Sequence, residues 1–417
     1  ALILWPAACW WQGLYPGYGL TAPRELRKQV TASIHAGLLL AAGTIFFAPM
    51  LPLPKSLLIL LVLFGMALLP IGRGLAKLFL VGFSLWGNSV VILGAGNTGK
   101  RIARILQGSP LIGFNPLGFF DDDSQKHGEY YYGLRVVGSL QDADRFAVRH
   151  DVTHAIVAIP SLPSESLSAM IEARGKIFRQ VQFIPGFPGL LAEDVTASHL
   201  GDVLAIEVRK GLYLTRNRIM KRLVDILGSA LGLLLLSPLL GVLYLWIRID
   251  SRGPGFYWSE RLGEGGEPFR CLKFRTMYVD ADTRLRQMMQ TDPGIKREYE
   301  HYHKLENDPR VTRAGRILRK YSLDEFSQLF NVLKGEMSLV GPRPYMTRER
   351  EDIGEYGKII FEAKPGMTGF WQVSARNEVT FQDRLEMETH YVRSWSVWWD
   401  IILFFQTFPA MLERRGS

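Results

Sequence analysis

The run from Leu223 to Ile249 constrains this chain more than any other stretch. It is long enough to cross a bilayer as a helix, and only Asp225 and Arg248 interrupt its apolar character. Two features oppose a straight span. Arg209, Lys210, Arg216, Arg218, Lys221 and Arg222 precede it, and Arg248 and Arg252 close it. Basic residues at both ends favour the cytoplasmic side for both. Ser237-Pro238 sits at the middle, where proline removes a helix hydrogen bond and bends the axis. The expectation is a helix-break-helix over 208–252 that dips into the membrane at Ser237 and Pro238 and returns. A Pro-kinked spanning helix is the alternative.

Further apolar runs open the chain: Leu2 to Leu20, Ile34 to Leu51, and Ser56 to Pro70, the last continuing towards Phe83. Each is near spanning length, so residues 1–86 read as transmembrane helices. Because Ala1 already lies in apolar sequence, a preceding membrane segment is expected. Arg24, Arg27 and Lys28 lie at one end of a two-helix hairpin, Arg73 and Lys77 at the other, and the Pro52/Pro54 turn carries only Lys55. This asymmetry puts the turn outside and the following domain in the cytoplasm. Ten tryptophans fit membrane-interface belts. A net charge of +9 would suit nucleic acid, but the basic residues cluster beside apolar segments. Anionic lipid and a phosphorylated substrate fit that pattern better, and no nucleic-acid motif is present. Cys9 and Cys271 have no spacing for a disulfide or a zinc site.

Residues 87–207 read as a Rossmann-like α/β domain. NSVVILGA (88–95) is a buried strand, and Gly94, Gly96 and Gly99 form GxGxxG between it and a helix from Asn97. Asp121, in the acidic cluster ending a strand at GFFDDD, lies at a distance suited to a ribose. The same glycines would equally serve a tight turn and close helix packing. No reductase pair follows them, so nucleotide binding and a structural role both stay open.

Residues 253–417 carry the chemistry. RLGEGGEPFRCLKFRTM reads as a β-hairpin, with Lys273 and Arg275 on one side of a strand. That side is either a phosphate site or a solvated face. The stretch from Asp308 to Pro344 centres on Asp324-Glu325, surrounded by Arg310, Arg313, Arg316, Arg319, Lys320 and Arg343. Ser322 reads as the N-cap of an amphipathic helix whose buried face carries Leu323, Phe326, Leu329, Phe330 and Leu333. Ser322-x-x-Glu325 alone is a capping box. Beside so many arginines, a helix start is also a diphosphate site, and a carboxylate there can act as a nucleophile. Asp280 to Lys304 reads as a charged helix. Arg393 and Asp400 interrupt the aromatic tail, which reads as an interfacial helix rather than a span, or equally as a dimer contact.

The motifs KRLVDILGS, RGPGFYWSERLGEGGEPFRCLKFRTM, DPRVTRAGRILRKYSLDEF, MSLVGPRP and KPGMTGFWQVSARN, in this order, resemble the polyprenyl-phosphate sugar-1-phosphate transferases, the large membrane family with one re-entrant helix. The likeness runs from Lys210 to the C-terminus. It departs at Ser327, where the family often has proline, and at Ala375, where it often has glycine. It implies transfer of a sugar-1-phosphate from a UDP-sugar to undecaprenyl phosphate with release of UMP. Asp324 would be the nucleophile of a ping-pong cycle and Glu325 its partner. Lys273, Arg275, Arg319, Arg343 and Arg376 would hold phosphate or uridine groups. Mg²⁺ would neutralise the diphosphate, with Asp324 as its protein ligand. The resemblance also implies a bacterial inner-membrane enzyme of O-antigen or other envelope polysaccharide synthesis, a homodimer, and galactose as the sugar with glucose next. Rival readings are ternary-complex transfer with Asp324 as general base, a non-enzymatic nucleotide sensor or scaffold, and an NAD-dependent oxidoreductase.

Overall fold

The computed structural model describes residues 4–46, 54–163, 177–185, 195–200, 203–208, 211–292, 308–374 and 379–412, with isolated positions 166, 170, 174, 294, 295, 297 and 305. The chain forms two compact units, Ala1–Leu190 and Leu191–Ser417.

The first unit opens with helices α1 (Leu4–Trp11), α2 (Ala22–Phe46) and α3 (Lys55–Gly82). The run from Leu2 is therefore not one long helix. Gly13, Gly17 and Gly19, all with positive φ, turn the chain after Trp11. Arg24, Arg27 and Lys28 lie inside α2 rather than before it. Glu25 at the start of α2 meets Arg73 and Lys77 near the end of α3, the latter at 2.6 Å, so the two helices run antiparallel.

A sheet follows, built from β1 (Asn88–Leu93), β2 (Phe114–Phe120), β3 (Tyr130–Tyr131), β4 (Leu134–Gly138), β5 (His154–Val157) and β6 (Gln180–Phe183). The order is β3-β4-β2-β1-β5-β6, and all pairings are parallel except β3 with β4. Both faces of β1 are covered. Val91 and Leu93 pack with Phe120 and Val157, while Ile92 packs with Phe119, Val136 and Ala103 of helix α4 (Asn97–Gly108). A strand buried on both sides has no polar face, which is why VVIL (90–93), the buried part of β1, is an unbroken apolar run. A Cβ on Gly99 would sit 2.0 Å from the Gly94 carbonyl oxygen, so the helix start can approach the strand only with glycine there.

The second unit begins with the hairpin β7 (Val195–Leu200) and β8 (Val203–Val208), followed by the 36-residue helix α6 (Thr215–Asp250) with Pro238 inside it; α5 is Asp142–Arg149 in the first unit. Asp225, Ser229, Leu240, Leu243 and Ile247 of α6 are buried, whereas Leu227, Leu231, Leu234, Leu235, Val242, Leu245 and Ile249 are exposed. One face thus packs on protein along its length and the other is an apolar stripe. Both ends of α6 are tied to the same unit. Asp225 accepts from Ser338 Oγ and the Leu339 amide at 2.9 and 3.0 Å, and Asp250 accepts from the Ala314 amide at 2.9 Å. Among the described residues, Ile59–Gly82 and Thr215–Asp250 are long and apolar enough to cross a membrane.

The rest of the unit packs around the antiparallel hairpin β9 (Phe256–Leu262) and β10 (Pro268–Phe274). Helix α7 (Ala281–Thr291) realises part of the expected charged helix. Next come α8 (Arg313–Lys320), a 3₁₀ segment (Leu323–Gln328) and α9 (Leu329–Lys334). Parallel strands β11 (Ser338–Val340) and β12 (Gly366–Thr368) and helices α10 (Phe381–Arg393) and α11 (Val397–Leu412) complete it.

The 3₁₀ segment corrects the expected capped helix. Ser322 is left-handed (φ 54°) and its side chain caps nothing. A turn of three residues lines up Leu323, Phe326, Leu329 and Val332. Leu329 and Val332 are buried, Leu323 and Phe326 join a core cluster, and Phe330 and Leu333 face outward. In the tail, Trp395 is buried and its indole donates to Asp400 at 3.1 Å. Asp400 also takes Lys221 of α6 at 2.5 Å. The residue that interrupts the apolar run is thus an inward anchor, while Phe405 and Phe408 are exposed.

Candidate active site

The floor of the site is the exposed edge of β10. An edge strand leaves backbone groups unpaired, and here side chains of the following segments take them. Asn331 accepts from the Leu272 amide at 2.9 Å and donates to the Arg270 carbonyl at 2.7 Å. Ser327 Oγ donates to the Leu272 carbonyl at 3.1 Å. These bonds lay the 3₁₀ segment across the strand, with Asp324 and Glu325 on the side that bears Lys273.

Helix α8 is fastened independently. Thr312 caps it by accepting from the Gly315 amide, and a Cβ on Gly315 would lie 2.0 Å from the Thr276 carbonyl oxygen. That close approach brings Arg319 Nε within 3.0 Å of Thr276 Oγ1. On the opposite side, Gly341 leaves β11 against the backbone of Gly366, and its amide donates to Thr368 at 2.9 Å. The turn that follows carries Arg343, whose amide donates to the buried Glu388 at 2.8 Å.

These pieces enclose a cleft of about 770 Å³ lined by Arg261, Lys273, Arg319, Asp324, Glu325 and Arg343, with Tyr257, Met367 and Trp371 among its apolar walls. Lys273 pairs with Glu325 at 2.8 Å. Burial raises the Asp324 carboxyl to about 6, against the pull of Lys273; the Glu325 charge adds to the rise and Arg319 opposes it. Burial acts on Glu325 too, but the Lys273 ammonium outweighs it and holds that carboxyl below its ordinary value. Two adjacent carboxylates are thereby split. Glu325 is a fixed anion. Asp324 makes no ion pair among the described residues, and near neutral pH it is ionised and open to the cleft.

Asp324, Glu325, Lys273, Arg319 and Arg343 are thus brought together. Arg275 also borders the cleft, but its guanidinium donates to the Ser251 carbonyl and hydroxyl and to the Arg252 carbonyl at 2.7–2.9 Å, tying β10 to the end of α6. Arg376 lies outside the described residues. The expected break at Ser237 and Pro238 does not appear: α6 runs as one helix through both, and Ser237 Oγ donates to the Leu234 carbonyl at 2.9 Å. The sequence reading passed over Arg261, Asn331 and Glu388. For Arg261 a signal existed: Tyr257, Ser259 and Arg261 all line the cleft at the two-residue period of β9.

Among the described residues no group of three or more His, Cys, Asp or Glu stands together as a metal cage. An ion bound in the cleft would have the Asp324 carboxylate as a protein donor, and such a site suits one that keeps water and takes substrate phosphate oxygens.

In the first unit, Gly94, Gly96 and Asp121 line a separate cleft of about 410 Å³ at the ends of the parallel strands. The Asp121 carboxylate accepts from the Ala95 amide at 2.8 Å and pairs with Lys126 at 3.3 Å. Gly99 is buried against Gly94.

Known proteins share this layout. A family model described as "Bacterial sugar transferase" matches residues 216–414, and one described as "CoA-binding domain" matches residues 11–185. A UDP-galactose-lipid carrier transferase of Erwinia amylovora is 36% identical over 88% of this chain and 76% of its own. The chain belongs to the polyprenyl-phosphate hexose-1-phosphate transferases. An undecaprenyl-phosphate galactose phosphotransferase of Salmonella typhimurium is 34% identical over 85% of this chain and 74% of its own. An undecaprenyl-phosphate glucose phosphotransferase of Komagataeibacter xylinus is 30% identical over 79% and 60%. The chain is therefore a membrane-associated phosphoglycosyl transferase, and the dyad and arginines that line the cleft fall within the matched sugar transferase region.

Proposed function

We propose that the enzyme transfers galactose-1-phosphate from UDP-galactose to undecaprenyl phosphate and releases UMP, in the synthesis of a bacterial envelope polysaccharide. The observation that carries the chemistry is an unpaired carboxylate among unpaired cations. Asp324, Arg261, Arg319 and Arg343 line one cleft, and among the described residues none of them makes an ion pair. A site with that imbalance calls for a polyanion, and guanidinium groups suit phosphate oxygens.

An ionised Asp324 oxygen attacks the β-phosphorus of the bound donor. The bond from that phosphorus to the bridging oxygen breaks, and UMP leaves with the electron pair. The sugar phosphate is then held as an acyl phosphate on Asp324. An oxygen of undecaprenyl phosphate attacks the same phosphorus, the acyl bond breaks, and the carboxylate is restored. Glu325, kept ionised by Lys273, orients or deprotonates the lipid phosphate. Asp324 would hold Mg²⁺, which would supply charge neutralisation for the diphosphate beside the arginines.

Membrane placement follows the same reading. The catalytic unit lies on the cytoplasmic side of the inner membrane, where sugar nucleotides are made. Helix α6 enters and leaves on that side with its exposed leucine stripe in lipid. What supports this is that Asp225 and Asp250, 25 residues apart in sequence, are both bonded to one compact unit; a straight crossing would carry one of them through the ~30 Å core. Galactose is chosen over glucose because the galactose-handling relatives are more similar.

The test is UMP release from detergent- or nanodisc-held enzyme supplied with undecaprenyl phosphate, Mg²⁺ and either UDP-galactose or UDP-glucose, beside Asp324→Asn. Release that requires the lipid in multiple turnover and vanishes in the variant is expected. A sugar-phosphate label retained on the denatured wild-type protein separates the covalent route from direct transfer with Asp324 as a base.

A further inference from the structure

Arg261 is an unusual residue to find beneath a cleft already lined by Lys273, Arg275, Arg319 and Arg343. It is 8% exposed. It sits on β9 across from β10, and two of its three guanidinium nitrogens are used: Nε donates to Ser259 Oγ at 3.1 Å and Nη1 to the Pro344 carbonyl at 3.2 Å. Those bonds fix the plane of the group. No carboxylate among the described residues lies within ion-pairing distance of it, and the remaining nitrogen has no protein acceptor. Arg343, three residues beyond the end of β11, is close enough to repel it and, among the described residues, also lacks a carboxylate partner. A half-satisfied, like-charged arginine pair is costly to assemble in a folded protein. An anion bound between the two would relieve it.

Arg319 is held by Thr276 on α8's side of the cleft, whereas Arg261 is held by the carbonyl of Pro344, the residue after Arg343, and both arginines line the same cleft. We propose that Arg261 is a substrate-binding residue, and that with Arg343 it forms a phosphate subsite distinct from Arg319. This rests on the transferase reading only for the identity of the phosphate. The chemistry it recognises is a phosphate oxygen, supplied either by the diphosphate of the nucleotide donor or by the monophosphate of the lipid acceptor.

The measurement is binding, which does not require turnover. Calorimetric titration of UDP, and of a short isoprenyl monophosphate, into the full-length detergent-held protein is compared for wild type, Arg261→Gln, Arg261→Lys and Arg348→Gln. Arg348 is an exposed arginine outside the cleft. Loss of a charge-assisted hydrogen bond predicts affinity about 10- to 100-fold weaker in R261Q, partial recovery in R261K, and no change in R348Q. Weakening confined to UDP assigns the subsite to the donor, weakening confined to the isoprenyl phosphate assigns it to the acceptor, and weakening of both makes it shared.

Unchanged affinity for both ligands in R261Q overturns the proposal. So does a variant whose only defect is a lower melting temperature, since that is what a strut for Pro344 would give. Failure of the wild type to release UMP in the assay above would sink the transferase reading while leaving this comparison intact.

Discussion

In the proposed mechanism, Asp324 is shaped for reaction at the expense of stability. Its carboxyl, raised to about 6 by burial, is a stronger nucleophile than an exposed aspartate and still mostly ionised at pH 7. Formation of the covalent sugar phosphate should therefore fall about tenfold per pH unit below 6, read as UMP released in a single turnover against pH. The linkage has the opposite sign. A carboxyl whose folded value exceeds its unfolded value binds more protons when folded, so its contribution to stability is greatest below the unfolded value and declines as pH rises through 6. Asp324→Asn should accordingly melt higher than wild type at pH 7.5, by about 1–2 kcal/mol, while losing all transfer. Glu388, buried and raised to about 7 by desolvation, makes a complementary case. Glu388→Gln keeps an acceptor for the Arg343 amide and should retain most activity. Glu388→Ala orphans that amide and should cost about 1–3 kcal/mol together with a higher KM, both read on purified enzyme.

At the scale of elements, the dyad depends on how three short segments meet the edge of β10. Asn331 satisfies two backbone groups of that strand, so Asn331→Leu should destabilise the catalytic unit by about 2–4 kcal/mol and abolish UMP release without touching substrate. Chemical denaturation and the transfer assay would read the two effects. Gly315→Ala places a methyl where Thr276 now sits, and α8 must retreat, taking Arg319 with it. The 3₁₀ segment explains why a reading based on a period of 3.6 misassigned the buried face: Val332, three residues after Leu329, is inside, while Phe330 and Leu333 remain outside. Cysteines at Arg216 and Arg252 should both react with an impermeant maleimide from the cytoplasmic face of inside-out vesicles and neither from the other; reaction from opposite faces would refute the dip.

For the whole molecule, every residue lining the larger cleft belongs to the second compact unit. A chain starting near residue 195 should retain UMP release within about tenfold of the full-length enzyme once solubilised, because no catalytic group is lost. Much of this was legible in the sequence. The Asp324-Glu325 dyad stood out because two adjacent carboxylates lie among many basic residues, and Lys273 because it alternates with apolar residues along a strand. The parallel strands and the GxGxxG turn were readable because burial on both faces and close backbone approach each impose a local residue pattern. Arg275 and Asp400 show the limit, since each looked like a free charge and each is spent on holding α6 in place. The sequence by itself determined which segments are apolar, where the backbone must bend and which side chains carry charge, because these are set within a few neighbouring residues. Only the tertiary structure decided which of the charges face the cleft, that Ser322 caps nothing, and that Asp324 is raised while Glu325 is held down. Those outcomes depend on Lys273, Arg319, Arg343 and Arg261, which arrive from separate strands and helices, and electrostatic coupling follows distance through space rather than distance along the chain.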